Sequence, residues 1–174
     1  MKILFPLRSL GLLLIVATAL GASPTYEVEV KCEPKRFDVK RRGSKTTESA
    51  EESWGYLVTV TNHSFKEIPN LRVEYVVFYE HQQFGSKSDK PKPERRSGNK
   101  MPSNLLNNGK TTFETDPVTL KKSRLKGGWV YTNGAKRKAE DELSGIWLRV
   151  YSGSDLIEEM AQPPALKTQE KWEG

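Results

Sequence analysis

The chain is short of cysteine and histidine, with one and two respectively in 174 residues. A lone Cys32 cannot close an intrachain disulfide, so an apolar core has to hold the fold by itself. His63 and His81 lie in separate segments with no H-x-x-x-H or Cys/His ligand spacing, which argues against a zinc site. Two imidazoles also leave little choice of general base, and no G-x-S-x-G elbow presents a serine to one. Gly127-Gly128 lacks a phosphate-loop continuation. The denser acidic stretches are Glu140-Asp141-Glu142 and the group Glu48, Glu51 and Glu52, and neither follows a D-x-[DN]-x-[DN]-G calcium loop. Both read as solvated charge. A glycan hydrolase with paired carboxylates is the one enzymatic alternative, because carboxyl separation is not visible in a sequence. The expectation is a non-catalytic protein without metal or cofactor.

Long apolar runs are missing too, except near the start. Lys2 and Arg8 flank an apolar run over residues 10–16, which leads into Ala17, Thr18, Ala19, Gly21, Ala22 and Ser23. Charged, apolar and small residues in that order predict a secretory signal peptide over residues 1–23, cleaved between Ala19 and Pro24. The run is short for a membrane span, and no cysteine follows closely to carry a lipid; a retained anchor is the alternative. Export predicts a secreted or periplasmic protein, away from nucleic acids and cytosolic cofactors. The whole chain carries +6, and removing Lys2 and Arg8 leaves +4, an ordinary surplus for solubility.

What is present is alternation. Tyr26, Val28, Val30 and Cys32 fall on one strand face, which makes Cys32 a buried small hydrophobe. Trp54, Tyr56, Val58 and Val60 repeat the pattern up to Asn62. Leu71, Val73, Tyr75, Val77 and Tyr79 make one face of the next strand, while Val76 and Phe78 make its other face apolar. Such a strand is central and covered, or borders a partner surface. Residues 111–115 and 118–120 read as shorter strands broken by Asp116-Pro117. Residues 146–151 and 156–160 read as a closing hairpin that ends at Gln162-Pro163-Pro164. Residues 135–143 could form a helical turn or two. The pattern predicts an all-β fold, an antiparallel β-sandwich of immunoglobulin or fibronectin-III type with about seven strands over residues 24–164. A tail, residues 165–174, has Leu166 and Trp172 as its anchors. Two long loops are expected: residues 37–53, charged and serine-rich, and residues 81–104, basic and punctuated by prolines.

One stretch carries a resemblance. Val58-Thr-Val60-Thr-Asn62-His-Ser64, followed by Ile68, Leu71, Val73, Tyr75, Val77 and Phe78-Tyr79, resembles the central hairpin of bacterial FxLYD-type domains. Leu106, Gly109 and Phe113 match the downstream leucine, glycine turn and phenylalanine strand, so the resemblance covers roughly residues 54–115. It implies an immunoglobulin- or fibronectin-III-like accessory or binding module. The long basic insertion before Leu106 and the Gly145-Ile146-Trp147 strand depart from that pattern.

Two surfaces are candidates for binding. Trp54 and Trp147 belong to alternating strands and are expected in the core. Trp129 and Tyr131, set between Gly127-Gly128 and Asn133-Gly134, make either a platform for a sugar ring or peptide, or a core strand. Lys87, Lys90, Lys92, Arg95 and Arg96 make either a contact for acidic polysaccharide or anionic lipid headgroups, or a solvated loop. The expected role is a binding or assembly module of the cell envelope with a protein partner, a carbohydrate-binding module being the alternative. A structural subunit follows if residues 75–79 lie exposed and recruit a neighbour's strand.

Overall fold

The computed structural model describes residues 25–88 and 90–172, and the expected signal peptide lies outside the described residues. Nine strands form two antiparallel sheets. One sheet runs β1 (Val28–Gly43), β2 (Thr47–Asn62), β6 (Val118–Leu125) and β7 (Lys138–Glu140), and β5 (Lys110–Glu114) shares an edge of β2 with β6. The other runs β4 (Lys92–Lys100), β3 (Leu71–His81), β8 (Glu142–Ser152) and β9 (Asp155–Gln162). This is the predicted all-β sandwich, with more strands than expected.

Alternation explains the core. Val58 and Val60 of β2, with Val118 and Leu120 of β6, face Leu71, Val73, Tyr75 and Val77 of β3 and Ile146, Leu148 and Val150 of β8. Cys32 lies in this layer, and burial alone pushes its thiol up to about 12, so it is no nucleophile at neutral pH. Tyr75 ties the layers together: its hydroxyl accepts the Asp116 N–H at 2.9 Å, where the β5–β6 strand breaks. Opposite it in register stands Gly98 of β4, and any side chain there would run into the Tyr75 ring.

The two-sided strand is central and covered. β3 is paired by β4 and β8, and its outer face, Val76 and Phe78, packs with Trp147, Ala161, Leu166 and Trp172. Leu166 belongs to the short helix α1 (Leu166–Gln169), and the Trp172 ring meets Trp147 edge-on at 5.3 Å. The tail therefore docks through the two expected anchors. Since residues 75–79 are covered on both faces and paired on both edges, they cannot recruit a neighbour's strand.

Five expectations need correction. Residues 37–53 are not a loop; they are the ends of β1 and β2, which pair from Val28↔Asn62 to Gly43↔Glu48. Residues 81–104 shelter β4, an edge strand whose lysines, arginines and Pro93 suit an unpaired border. Residues 135–143 hold β7 and the start of β8, with no helix. Val58–Asn62 and Leu71–Tyr79 do not form a hairpin, because β2 and β3 belong to opposite sheets. Leu105, not Leu106, is buried after the insertion and bridges Ile68.

Candidate functional site

The two sheets are unequal in reach, and this creates a concavity. The apolar layer between them ends at Trp54 and Leu120, yet β1, β2 and β6 continue past it. Residues at the same side of the sheet recur in rows set by register. Arg41, Ala50, Lys122 and Glu140 stand opposite one another in one row, and Gly43, Glu48, Arg124 and Lys138 in the next. Ala50 is even-numbered like Val58 and Val60, so these rows extend the core-facing side beyond the core.

A groove of about 700 Å³ lies here. Its lining holds six cations, Arg41, Arg42, Lys122, Arg124, Lys126 and Lys138, against two acids, Glu48 and Glu140, a surplus of four charges. Arg124 pairs with Glu48 at 2.5 Å, and Glu140 pairs with Lys138 at 2.5 Å and Lys122 at 2.9 Å. The Lys138 and Lys122 ammoniums hold the Glu140 carboxyl below the usual carboxylate range. The Glu140 hydrogen bond in turn raises Lys122. Among the described residues, no carboxylate pairs with Arg41, Arg42 or Lys126; Lys126 Nζ donates to the Ser44 carbonyl at 2.8 Å.

Glu52 stands in the next row toward the core, with Val39 and Leu120. It is 7% exposed, accepts the Trp54 indole N–H at 2.7 Å and lies 3.6 Å from Lys122. A carboxylate so buried needs such partners, and the reading of Glu52 as solvated charge is corrected. The same holds for Asp141, 4% exposed, where the chain passes from β7 in one sheet to β8 in the other. Its carboxylate accepts the backbone N–H of Gln82 at 2.9 Å and of Lys121 at 2.8 Å, and lies 3.0 Å from His81 Nδ1. A second hollow of about 370 Å³ beside this pair is lined by Tyr79, Glu94, Arg96 and Lys121 among others, and its described lining holds no serine or cysteine. Burial, then the Glu94 carboxylate, push the Tyr79 phenol up.

Of the sequence-predicted binding residues, those on the β6–β7 and β3–β4 loops come together, and the rest lie along β4. Trp129 is 58% exposed on the loop between β6 and β7, so the core reading of that residue is corrected. Tyr131 is half-buried, its ring edge-on to Phe84 at 5.7 Å, which joins this loop to the β3–β4 loop. Lys87 and Lys90 belong to the latter loop and are exposed. Lys92, Arg95 and Arg96 are on β4 instead. Arg96 opposes the core-facing Val77 and Arg95 opposes Phe78, so their side chains leave opposite faces of the sheet. Lys92 pairs with Glu94 at 3.6 Å, and Arg96 donates to the Pro117 carbonyl at 3.0 Å. The five cations do not form one cluster. Trp54 is partly buried against the core, and Trp147 is buried outside it, under the tail.

Sequence reasoning missed the groove cations. A signal was there: residues 121–138 hold seven lysines and arginines and no acid, and residues 39–47 hold four and none. Strand pairing sets the two stretches on either side of β2.

By fold and site, the protein is a two-sheet antiparallel β-sandwich with a cationic groove beyond the end of its core. No protein-family model matches the chain, and no curated protein matches it. Among solved structures, the X-ray structure of Northeast Structural Genomics Consortium target SoR45 is similar, with 9% identity and a TM-score of 0.32. That likeness covers 77% of this chain and 84% of that one, and is too slight to carry any argument. No helix of the described residues is long and apolar enough to cross a membrane.

Proposed function

We propose that the protein is a non-catalytic binding module of the cell envelope, secreted or periplasmic, that holds an anionic partner in the groove between β1, β2, β6 and β7. The excess of cations over acids along this concave extension of the core-facing sheet is the observation that carries this reading. A projecting face lined by Val or Leu would suit an apolar partner; this one carries Arg41, Lys122 and Arg124 in those positions. The two acids in the lining speak for binding over hydrolysis. A glycan hydrolase needs one carboxyl kept protonated near neutral pH, whereas lysines hold Glu140 ionised and Arg124 engages Glu48.

The test is a titration against dextran sulfate at several salt concentrations. Among the described residues Arg41 and Lys126 have no carboxylate partner, so Arg41→Ser with Lys126→Ser orphans no described acid. Each lost cation should lower the slope of log affinity against log salt by about one. Binding that is indifferent to salt and to both substitutions would overturn the proposal.

A further inference from the structure

We propose that the anionic partner is the headgroup layer of a lipid membrane, and that Trp129 and Val130 form a wedge that enters it. This rests on the anion-binding reading above and names its ligand. Single exposed apolar residues are ordinary, so exposure alone argues nothing. Here Trp129 and Val130, 58% and 63% exposed, are neighbours at the tip of one loop. Nothing lies within 4 Å of where a side chain would stand at Gly127, Gly128 or Gly134, so the tip projects into open space.

The loop is built to hold that pose. Leu125 N–H donates to the Arg137 carbonyl at 2.9 Å, Arg137 Nη2 donates to the Gly127 carbonyl, and Trp129 N–H donates to the Lys126 carbonyl at 3.2 Å. Tyr131 turns inward onto Phe84 and anchors one side while its two neighbours point out. The Lys126 N–H donates to the Thr46 carbonyl at 2.8 Å, which sets the β1–β2 turn beside the loop. Lys45 and Arg137 therefore stand with the groove cations at the same end as the tip.

An indole at headgroup depth with cations around it satisfies both halves of a membrane interface, its apolar boundary and its negative charge. The exposed branched alkyl side chain of Val130 beside Trp129 gains most from an apolar medium. A weak apolar wedge and a basic surface together also supply the two signals that lasting membrane attachment requires.

The experiment uses the whole chain and vesicles of phosphatidylcholine with or without phosphatidylglycerol, with dextran sulfate as the soluble polyanion. The apolar residues 10–16 are common to every arm, so the differences between variants carry the result. Anionic vesicles should bind more tightly than neutral ones, by about fivefold for each cation that reaches the surface. Brominated lipid should quench wild-type tryptophan emission, and Trp129→Phe should abolish the quenching, because Trp54, Trp147 and Trp172 pack against the protein. Trp129→Ala with Val130→Ser should weaken vesicle binding at least about tenfold while leaving dextran sulfate binding and the urea midpoint unchanged. Dextran sulfate binding without quenching by brominated lipid would overturn the wedge and leave a soluble polyanion, such as an acidic polysaccharide, as the ligand. Quenching that persists in Trp129→Phe would overturn it as well. If neither dextran sulfate nor anionic vesicles bind, the anion-binding reading falls together with the inference.

Discussion

Asp141 and Trp147 show how single side chains hold the two layers in place. Asp141 gathers two backbone N–H groups and His81 at the point where the chain changes sheets. Removing its carboxylate in Asp141→Ala strands both donors, each at a cost of about 1–3 kcal/mol, and should lower the urea midpoint markedly. An unchanged midpoint would mean water replaces the carboxylate and the junction is not anchored there. Trp147 is 5% exposed and lies between β3's outer face and Trp172. Trp147→Ala should cost about 3–5 kcal/mol, the scale for a deleted core aromatic, again read from the urea midpoint. Trp147, Cys32, Leu166 and Trp172 were legible because burial follows from period-two alternation or from apolar isolation in a polar tail. Asp141 was not. His81 and Asp141 are 60 residues apart, and nothing local distinguishes that aspartate from the glutamates beside it.

The C-terminal segment is the element whose removal is most informative. Residues 163–172 cover Val76, Phe78 and Trp147. A chain ending before Pro163 should keep the inner core but expose that outer face, so it should bind an apolar fluorescent dye and self-associate. A truncated chain that stays monomeric and dark would show that the segment is dispensable cover. At this scale, the strands that touch the core declared themselves, and those that leave it did not. β3 and β8 are plainly apolar because one side faces the opposite sheet and part of the other lies under the tail. The far halves of β1 and β2 and the edge strand β4 have no apolar partner to face. Apart from Phe37 and Val39 their side chains are mostly charged, polar or small, and backbone ladders with cross-strand ion pairs such as Arg124–Glu48 carry their pairing. Charge in a strand that does not reach the core reads as a loop.

Across the whole molecule, charge is segregated, and its gathering depends on register. Arg41 and Lys138 are nearly a hundred residues apart in the chain, and β2 and β6 bring their rows together. No sequence pattern states that adjacency, though the acid-free stretches hinted at it. The ion pairs also set acid stability. Lys100 holds Asp116 below its ordinary 3.8, and Lys138 and Lys122 hold Glu140 below its ordinary 4.5. Burial would raise Glu159, but Arg149 and Lys167 bring it below 4.5 as well. A carboxylate depressed in the folded state adds stability that is complete above its unfolded value and is lost as pH falls through the folded one. Urea midpoints should therefore be level from pH 7 to about 4.5 and drop below it, where these groups take up protons. A midpoint that falls between pH 7 and 5 would assign the pH dependence to other groups.

The most direct test of the central claim is an amide NMR titration of the whole chain with dextran sulfate. The largest shifts should fall at residues 41–43, 48–50, 122–126 and 138–140, and should shrink as salt screens the groove. Shifts concentrated at the opposite end, around the exposed Phe65 and Leu106, or spread evenly over all surface lysines, would contradict a binding site in the groove.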